Sequence, residues 1–181
     1  MTPAQAGAAE LEVDENGVTF LANAQKKARA FAAATGLPTL ADDSGLIVAA
    51  LGGRPGVQSA RYGGPGLSAE DRNRRLLGEM EGQADRGAAY VCVVSLARPG
   101  EPASKVFLGR CEGRIGRHPR GEGGFGYDPV FLLPDGRSMA ELPDQEKDGI
   151  SHRGLAVAEM LRQFDLGGWA AGAGPNWVEL R

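Results

Sequence analysis

Ala41-Asp42-Asp43-Ser44-Gly45-Leu46 sets two adjacent carboxylates and a Ser-Gly pair between two short apolar runs, Pro38 to Ala41 and Leu46 to Leu51. Runs of that length read as strands, so the acids stand at a strand–turn–strand junction. Loops displayed by a rigid sheet often carry function. Adjacent side chains in extended backbone point to opposite faces, so one Asp can enter a pocket while its neighbour supports the loop from behind. A carboxylate placed there can hold Mg²⁺ or activate a water. The plainer reading is a solvated turn in which each Asp bonds its own backbone.

Outward from this stretch the chain alternates helices and strands. On the N-terminal side, Phe20, Ala24, Ala28 and Phe31 recur at helical spacing, Thr19 serves as N-cap, and Gly36-Leu37-Pro38 stops the helix. A capping box is not expected, because Ala22 cannot reach back to the cap. On the C-terminal side, Ser68 opens a second helix with Asp71 in its first turn. Ala88 to Ala97 is almost continuously apolar, as a strand covered on both faces would be. Val106 to Ile115 alternates instead, with Cys111 and Ile115 on one face and Arg110, Glu112 and Arg114 on the other. A glycine-rich loop, 117 to 129, leads to a short strand near Val130 to Leu133. Ser151 caps a last helix whose inner stripe is expected to hold Val157, Leu161 and Phe164, and Trp169 and Trp177 are docking anchors in the tail. Residues 1 to 10 are unpatterned and read as loose. The whole is a single α/β domain, 1 to 181, with a mixed sheet.

Composition narrows the function. In 181 residues, 42% are hydrophobic and 24% charged, an ordinary globular balance, and the net charge is −3. That balance excludes a basic footprint for polymeric nucleic acid but leaves room for a small phosphorylated ligand. No window approaches the roughly 18 apolar residues of a membrane span, and the start lacks the features of a signal peptide. Cys92 and Cys111 lack zinc-ligand spacing and read as buried, reduced thiols. These features describe a cytoplasmic protein.

Three further clusters can carry chemistry. Gly123-Gly124-Phe125-Gly126-Tyr127-Asp128-Pro129 joins backbone freedom to two aromatics and an acid, enough to stack on a base and accept from it, or else a tight turn with its aromatics in the core. Lys147 with Ser151-His152-Arg153 gathers cationic donors at a helix start, where anions are favoured; the alternative is an N-cap followed by a solvated basic turn. Arg61, in Ser59-Ala60-Arg61-Tyr62, reaches phosphate or pairs with the carboxylates, and pairing is the better fit.

Five segments, in this order, resemble the inosine triphosphate pyrophosphatase family: Thr19 to Ala24, Ala41 to Leu46, Pro55-Gly56-Val57 running into Ser59 to Tyr62, Gly123 to Phe131, and Glu146-Lys147 with Ile150 to Gly154. The resemblance implies an elongated mixed β-sheet flanked by helices, two lobes around a central nucleotide cleft, and a homodimer. It implies Mg²⁺-dependent hydrolysis of noncanonical purine nucleoside triphosphates (ITP, dITP, XTP) to the monophosphate and pyrophosphate, cleaning the nucleotide pool. Asp43 would be the catalytic base and a metal-site carboxylate, with an acid of the Asp14-Glu15 pair as second metal ligand. Ser44, Phe125, Gly126, Tyr127 and Asp128 would contact the nucleotide, and Lys147, His152 and Arg153 would complete a pocket that favours a 6-keto purine.

Two departures accompany it. Ala22 stands where the family places Glu. The family also opens with a strand and a Thr/Ser-Gly-Asn-x-x-Lys loop that holds the triphosphate, and no such segment stands here, since Lys26 is the first Lys or Arg. The chain therefore reads as lacking the N-terminal part of the family domain. The alternatives are a catalytically impaired, truncated purine-nucleotide-binding homologue, and a metal-dependent phosphohydrolase acting on another phosphorylated substrate.

Overall fold

The computed structural model describes residues 1–163 and 178–180. In chain order these form α1 (Phe20–Thr35), β1 (Thr39–Val48), α2 (Ala69–Glu79), β2 (Gly87–Ala97), β3 (Ser104–Ile115), β4 (Phe131–Leu132), α3 (Asp144–Ile150), α4 (His152–Gln163) and β5 (Val178–Leu180). The strands make one sheet in the order β4-β3-β2-β1-β5. β3 and β4 run antiparallel, whereas β1 and β5 run parallel with Thr39 opposite Val178, so the sheet is mixed and the fold is α/β. Among the described residues no helix is long and apolar enough to cross a membrane.

Local chemistry accounts for the helix ends. Thr19 Oγ1 accepts from the backbone N–H of Ala22, and α1 stops at Gly36 in the left-handed region. At α2, Ser68 and Asp71 make a reciprocal capping box. β2 is buried from Ala88 to Ala97, matching its unbroken apolar run. β3 buries Phe107, Cys111 and Ile115 and exposes Leu108, Arg110, Glu112 and Arg114. Both cysteines are buried thiols outside any disulfide.

The chain divides into two compact units. The first contains Met1–Asp43, Cys92–Gly109 and α4 from Ala156 on. Its core joins Cys92, Val94, Leu96, Phe107, Ala156 and Met160, with a second cluster of Ala28, Ala32, Ala41 and Ala97, whose small side chains let α1 lie close to the strands. The second unit contains Ser44–Val91 and Arg110–Leu155. Its core includes Leu46, Leu76, Met80, Ile115 and Phe131, all but inaccessible to solvent. Each such side chain contributes about 1.5–3 kcal/mol through burial.

Three expectations change. The acidic stretch is not a turn between two strands: β1 runs unbroken through Asp42, Asp43, Ser44 and Gly45, and a 3₁₀ turn follows at Ala49–Leu51. Gly45 permits this because a Cβ there would lie 2.4 Å from Ser59 Oγ, the atom that accepts from Leu46 N–H at 2.9 Å. In α4 the inward residues are His152, Ala156 and Met160, while Val157 and Leu161 are exposed. Ser151 Oγ accepts from Gly154 N–H, a Cβ at Gly154 would collide with Asp148 O, and Ala156 and Met160 join the cluster of Cys92, Val94, Leu96 and Phe107. The short α3 falls where the sequence showed no helical stripe. Residues 2 to 8 form successive backbone-bonded turns, and Ala8 is buried. Phe164, Trp169 and Trp177 lie outside the described residues.

Candidate active site

In the first unit, Asp43 is held by a residue of α1. Asn23, only 1% exposed, donates from Nδ2 to Asp43 Oδ2 at 2.9 Å, and its own Oδ1 accepts from Gly17 N–H at 2.8 Å. The amide has two donors and one acceptor, so the two bonds fix its orientation and that of the carboxylate it meets. Asp42 Oδ2 lies 3.7 Å from the buried Cys92 Sγ, consistent with one Asp of the pair supporting the strand from behind. The segment before α1 is tied down as well. Lys26 Nζ donates to Asp14 O and Asn16 Oδ1, Asn16 Nδ2 donates to Asp14 Oδ2, and Lys27 pairs with Glu15 at 2.8 Å. Asp14, Glu15 and Asp43 thus share a unit. Among the described residues, however, no three His, Cys, Asp or Glu side chains are spaced to hold a metal ion.

The second unit is organised around Asp128. This carboxylate, 2% exposed, accepts from Tyr90 Oη at 3.1 Å, from Phe125 N–H at 2.7 Å and from Lys147 Nζ at 2.6 Å. A buried carboxylate is tolerated only when paired and hydrogen-bonded, and three donors meet that demand. Gly124 is required here: its φ is +73°, and a Cβ would lie 2.3 Å from Asp128 Oδ2 and 2.9 Å from Lys147 Nζ. Lys147 Nζ also lies over the Phe125 ring, 4.6 Å from its centroid. Phe125 itself is 63% exposed, which leaves ring surface open to stacking.

His152 stacks on Tyr90 with centroids 4.7 Å apart and planes 10° from parallel. Burial, followed by the charge of Asp128, pushes the Tyr90 phenol well above its ordinary range, so it remains a neutral donor. Arg153 Nη2 donates to Ser44 Oγ at 3.4 Å. Gly126 O accepts from Asn73 Nδ2 at 3.0 Å, fixing the glycine loop to α2. Tyr127 points into the core, 3% exposed, with its hydroxyl on Ser59 O, so for this residue the core-anchor reading of the loop is the observed one.

The structure therefore brings Phe125, Asp128 and Lys147 together, sets His152 beside Tyr90, and joins Ser44 to Arg153. Sequence reasoning missed Asn23, Tyr90 and Asn73. Two signals were present: a polar amide next to the inward stripe of α1, and a phenol inside an apolar strand, where a buried hydroxyl must find a partner.

The fold is thus a mixed α/β sheet whose first unit carries an oriented carboxylate on a strand and whose second holds a buried Asp–Lys pair beneath a glycine loop with an open aromatic ring. The chain belongs to the Ham1 family, whose sequence profile matches residues 2–163. A dITP/XTP pyrophosphatase of Syntrophobacter fumaroxidans is 52% identical over 155 residues, covering 85% of this chain and 66% of the relative, so the chain spans just under two thirds of that protein. One of Symbiobacterium thermophilum is 53% identical over 155 residues, covering 84% of this chain and 77% of the relative. The structure of a HAM1 protein from Coxiella burnetii superposes with a TM-score of 0.86 at 43% identity, over 91% of this chain and 84% of that one.

Proposed function

We propose that this chain hydrolyses noncanonical purine nucleoside triphosphates, namely ITP, dITP and XTP, to the monophosphate and pyrophosphate. The observation that carries the reading is the buried Asp128, held by Lys147, Tyr90 and the Phe125 N–H beneath an exposed aromatic ring. The names of relatives at about 50% identity support the same substrate class.

Phe125 stacks on the purine. Lys147 spends one donor on Asp128, and its remaining N–H groups and those of Arg153 are suited to the 6-keto oxygen of hypoxanthine or xanthine. Adenine presents an amino group at that position, which leaves such donors unpaired and lowers its affinity. Asp43, its carboxylate oriented by Asn23, takes a proton from the water that attacks the α-phosphorus as pyrophosphate leaves. Asp43, or Asp43 with one acid of the Asp14-Glu15 pair, would supply hard carboxylate oxygens to Mg²⁺, which is commonly held by one or two carboxylates and the substrate's own phosphates rather than by a complete protein cage. When bound, Mg²⁺ offsets the charge of the triphosphate. The protein is cytoplasmic and homodimeric in this reading.

The engagement of Glu15 by Lys27, and of Asp14 by Asn16, favours a second reading: purine-nucleotide binding without turnover. One assay separates the two. Inosine, xanthosine, deoxyinosine and adenosine triphosphates are incubated with Mg²⁺, and pyrophosphate is scored against phosphate. Pyrophosphate from the keto purines in preference to adenosine triphosphate supports hydrolysis. Binding of inosine triphosphate without product supports the second reading, and phosphate as sole product points to a different phosphohydrolase.

A further inference from the structure

The second unit holds another concavity, of about 660 Å³, on the β3 side of the glycine loop. Arg86, Arg114, Arg117, His118 and Arg120 line it, over a floor of Gly116 and Leu132, and no carboxylate is among its lining residues. Arg120 is offset by Glu141, 3.2 Å away. Arg114 and Arg117 have no ion pair among the described residues.

Arg86 is the fixed centre of the group. Nε donates to Ile115 O, Nη1 to Met80 O and Nη2 to Gly116 O, at 2.6–2.8 Å. A guanidinium has five N–H donors, so two remain after these bonds. Its partners are neutral carbonyls, which orient the charge without cancelling it. Burial, and then the neighbouring charge of Arg117, lower the pKa of Arg86, a sign that like charges crowd here.

Cations gathered in a concave, partly desolvated site focus a positive potential. The guanidinium fork matches the oxygens of phosphate in bidentate geometry. With Arg120 neutralised, three full positive charges remain for a ligand, from Arg86, Arg114 and Arg117. We propose that this cavity binds an oligophosphate, either free pyrophosphate or the phosphate chain of a nucleotide, at a site separate from the Asp128 pocket. A diphosphate carries about three negative charges near neutral pH, which suits this set better than a carboxylate does. The proposal stands independently of the purine reading, because none of its residues belongs to that pocket.

The test is calorimetric titration of the full chain without Mg²⁺, at constant ionic strength, with sodium pyrophosphate in one arm and adenosine diphosphate in the other. Three proteins are compared: the parent, Arg114→Ser/Arg117→Ser, and Arg153→Ala. Arg114 and Arg117 are exposed, so their replacement leaves the fold intact, which circular dichroism verifies; Arg117→Ser alone is the second variant. Arg114→Ser/Arg117→Ser should weaken pyrophosphate binding by about ten-fold or more, while Arg153→Ala keeps it. Equal affinity for the two ligands supports recognition of the phosphate chain alone, and tighter adenosine diphosphate supports a nucleotide. Unchanged affinity in the Arg114/Arg117 variant, equal displacement by sulfate, or no binding of pyrophosphate to the parent at millimolar concentration would overturn the proposal.

Discussion

Lys147 Nζ sits 2.6 Å from Asp128 Oδ2, in an ion pair whose side chains are 13% and 4% exposed. Removing one partner of so buried a pair leaves an uncompensated charge and costs about 3–5 kcal/mol. Asp128→Ala should therefore lower stability by that order, because Tyr90, Phe125 N–H and Lys147 all lose their acceptor. Urea denaturation measures the loss. Lys147→Met should also destabilise, since it leaves the buried carboxylate without its cation, and a double-mutant cycle should return a coupling energy above about 0.5 kcal/mol in magnitude, the lower bound for directly contacting residues. Additive effects would mean that the pair is not an energetic unit.

The Asn23–Asp43 bond separates chemistry from architecture. Asp43→Asn keeps the shape and removes the charge, so turnover should fall by about 10²–10⁴-fold, the range for a lost general base, while the fold persists. Asn23→Ala should reduce kcat with little change in KM, because it frees a carboxylate without touching the base pocket. Pyrophosphate release, followed together with circular dichroism, checks both. Most of the activity surviving in folded Asp43→Asn would reassign the base.

Selectivity should reside in His152 and Arg153. Alanine at either position should narrow the preference for inosine over adenosine triphosphate by about 1–3 kcal/mol, the usual effect of an unpaired buried polar group. The two should differ in stability. His152 is buried and stacked on Tyr90, so its replacement leaves a cavity, whereas Arg153 is exposed. Specificity constants on both substrates decide the matter. Equal losses on the two would make these residues phosphate contacts or structural supports.

Acid stability should depend on Glu79. Its carboxylate accepts from Tyr62 Oη at 2.7 Å and pairs with Arg54 and Arg75, and the Tyr62 hydrogen bond is the main cause that lowers its pKa below the ordinary 4.5. A carboxylate whose folded pKa is depressed contributes stability that is fully present above its unfolded value and lost as pH falls through its folded one. The midpoint of urea unfolding should thus drop more steeply below about pH 4.5 in the parent than in Glu79→Gln. Parallel profiles would remove Glu79 from the acid transition.

Much of the fold was legible because local chemistry and tertiary demand agree. Thr19 and Ser68 cap their helices, the unbroken apolar run of β2 is buried, and β3 alternates, as their residue patterns require. The candidate site was legible as segments: the acidic stretch, the glycine loop and Lys147 through Arg153 were each recognisable by composition. Their partners were not, because Asn23–Asp43 and Tyr90–Asp128 join residues 20 and 38 positions apart, and no local pattern records such pairings.

What the sequence determined by itself was therefore periodicity, caps and the chemical character of each cluster, since these depend on residues within a turn or two of one another. Tertiary structure decided the rest. It drew the two acids into a continuous strand, because the backbone at Gly45 can close on Ser59. It turned Ala156 and Met160 inward in place of Val157 and Leu161, because the side chains that cover them, Cys92, Leu96 and Phe107 among them, come from distant strands that the helix's own periodicity does not record. It also gave Asp128 its role, because the carboxylate is buried only where Tyr90 and Lys147, 38 and 19 positions away, join the local Phe125 N–H as its donors.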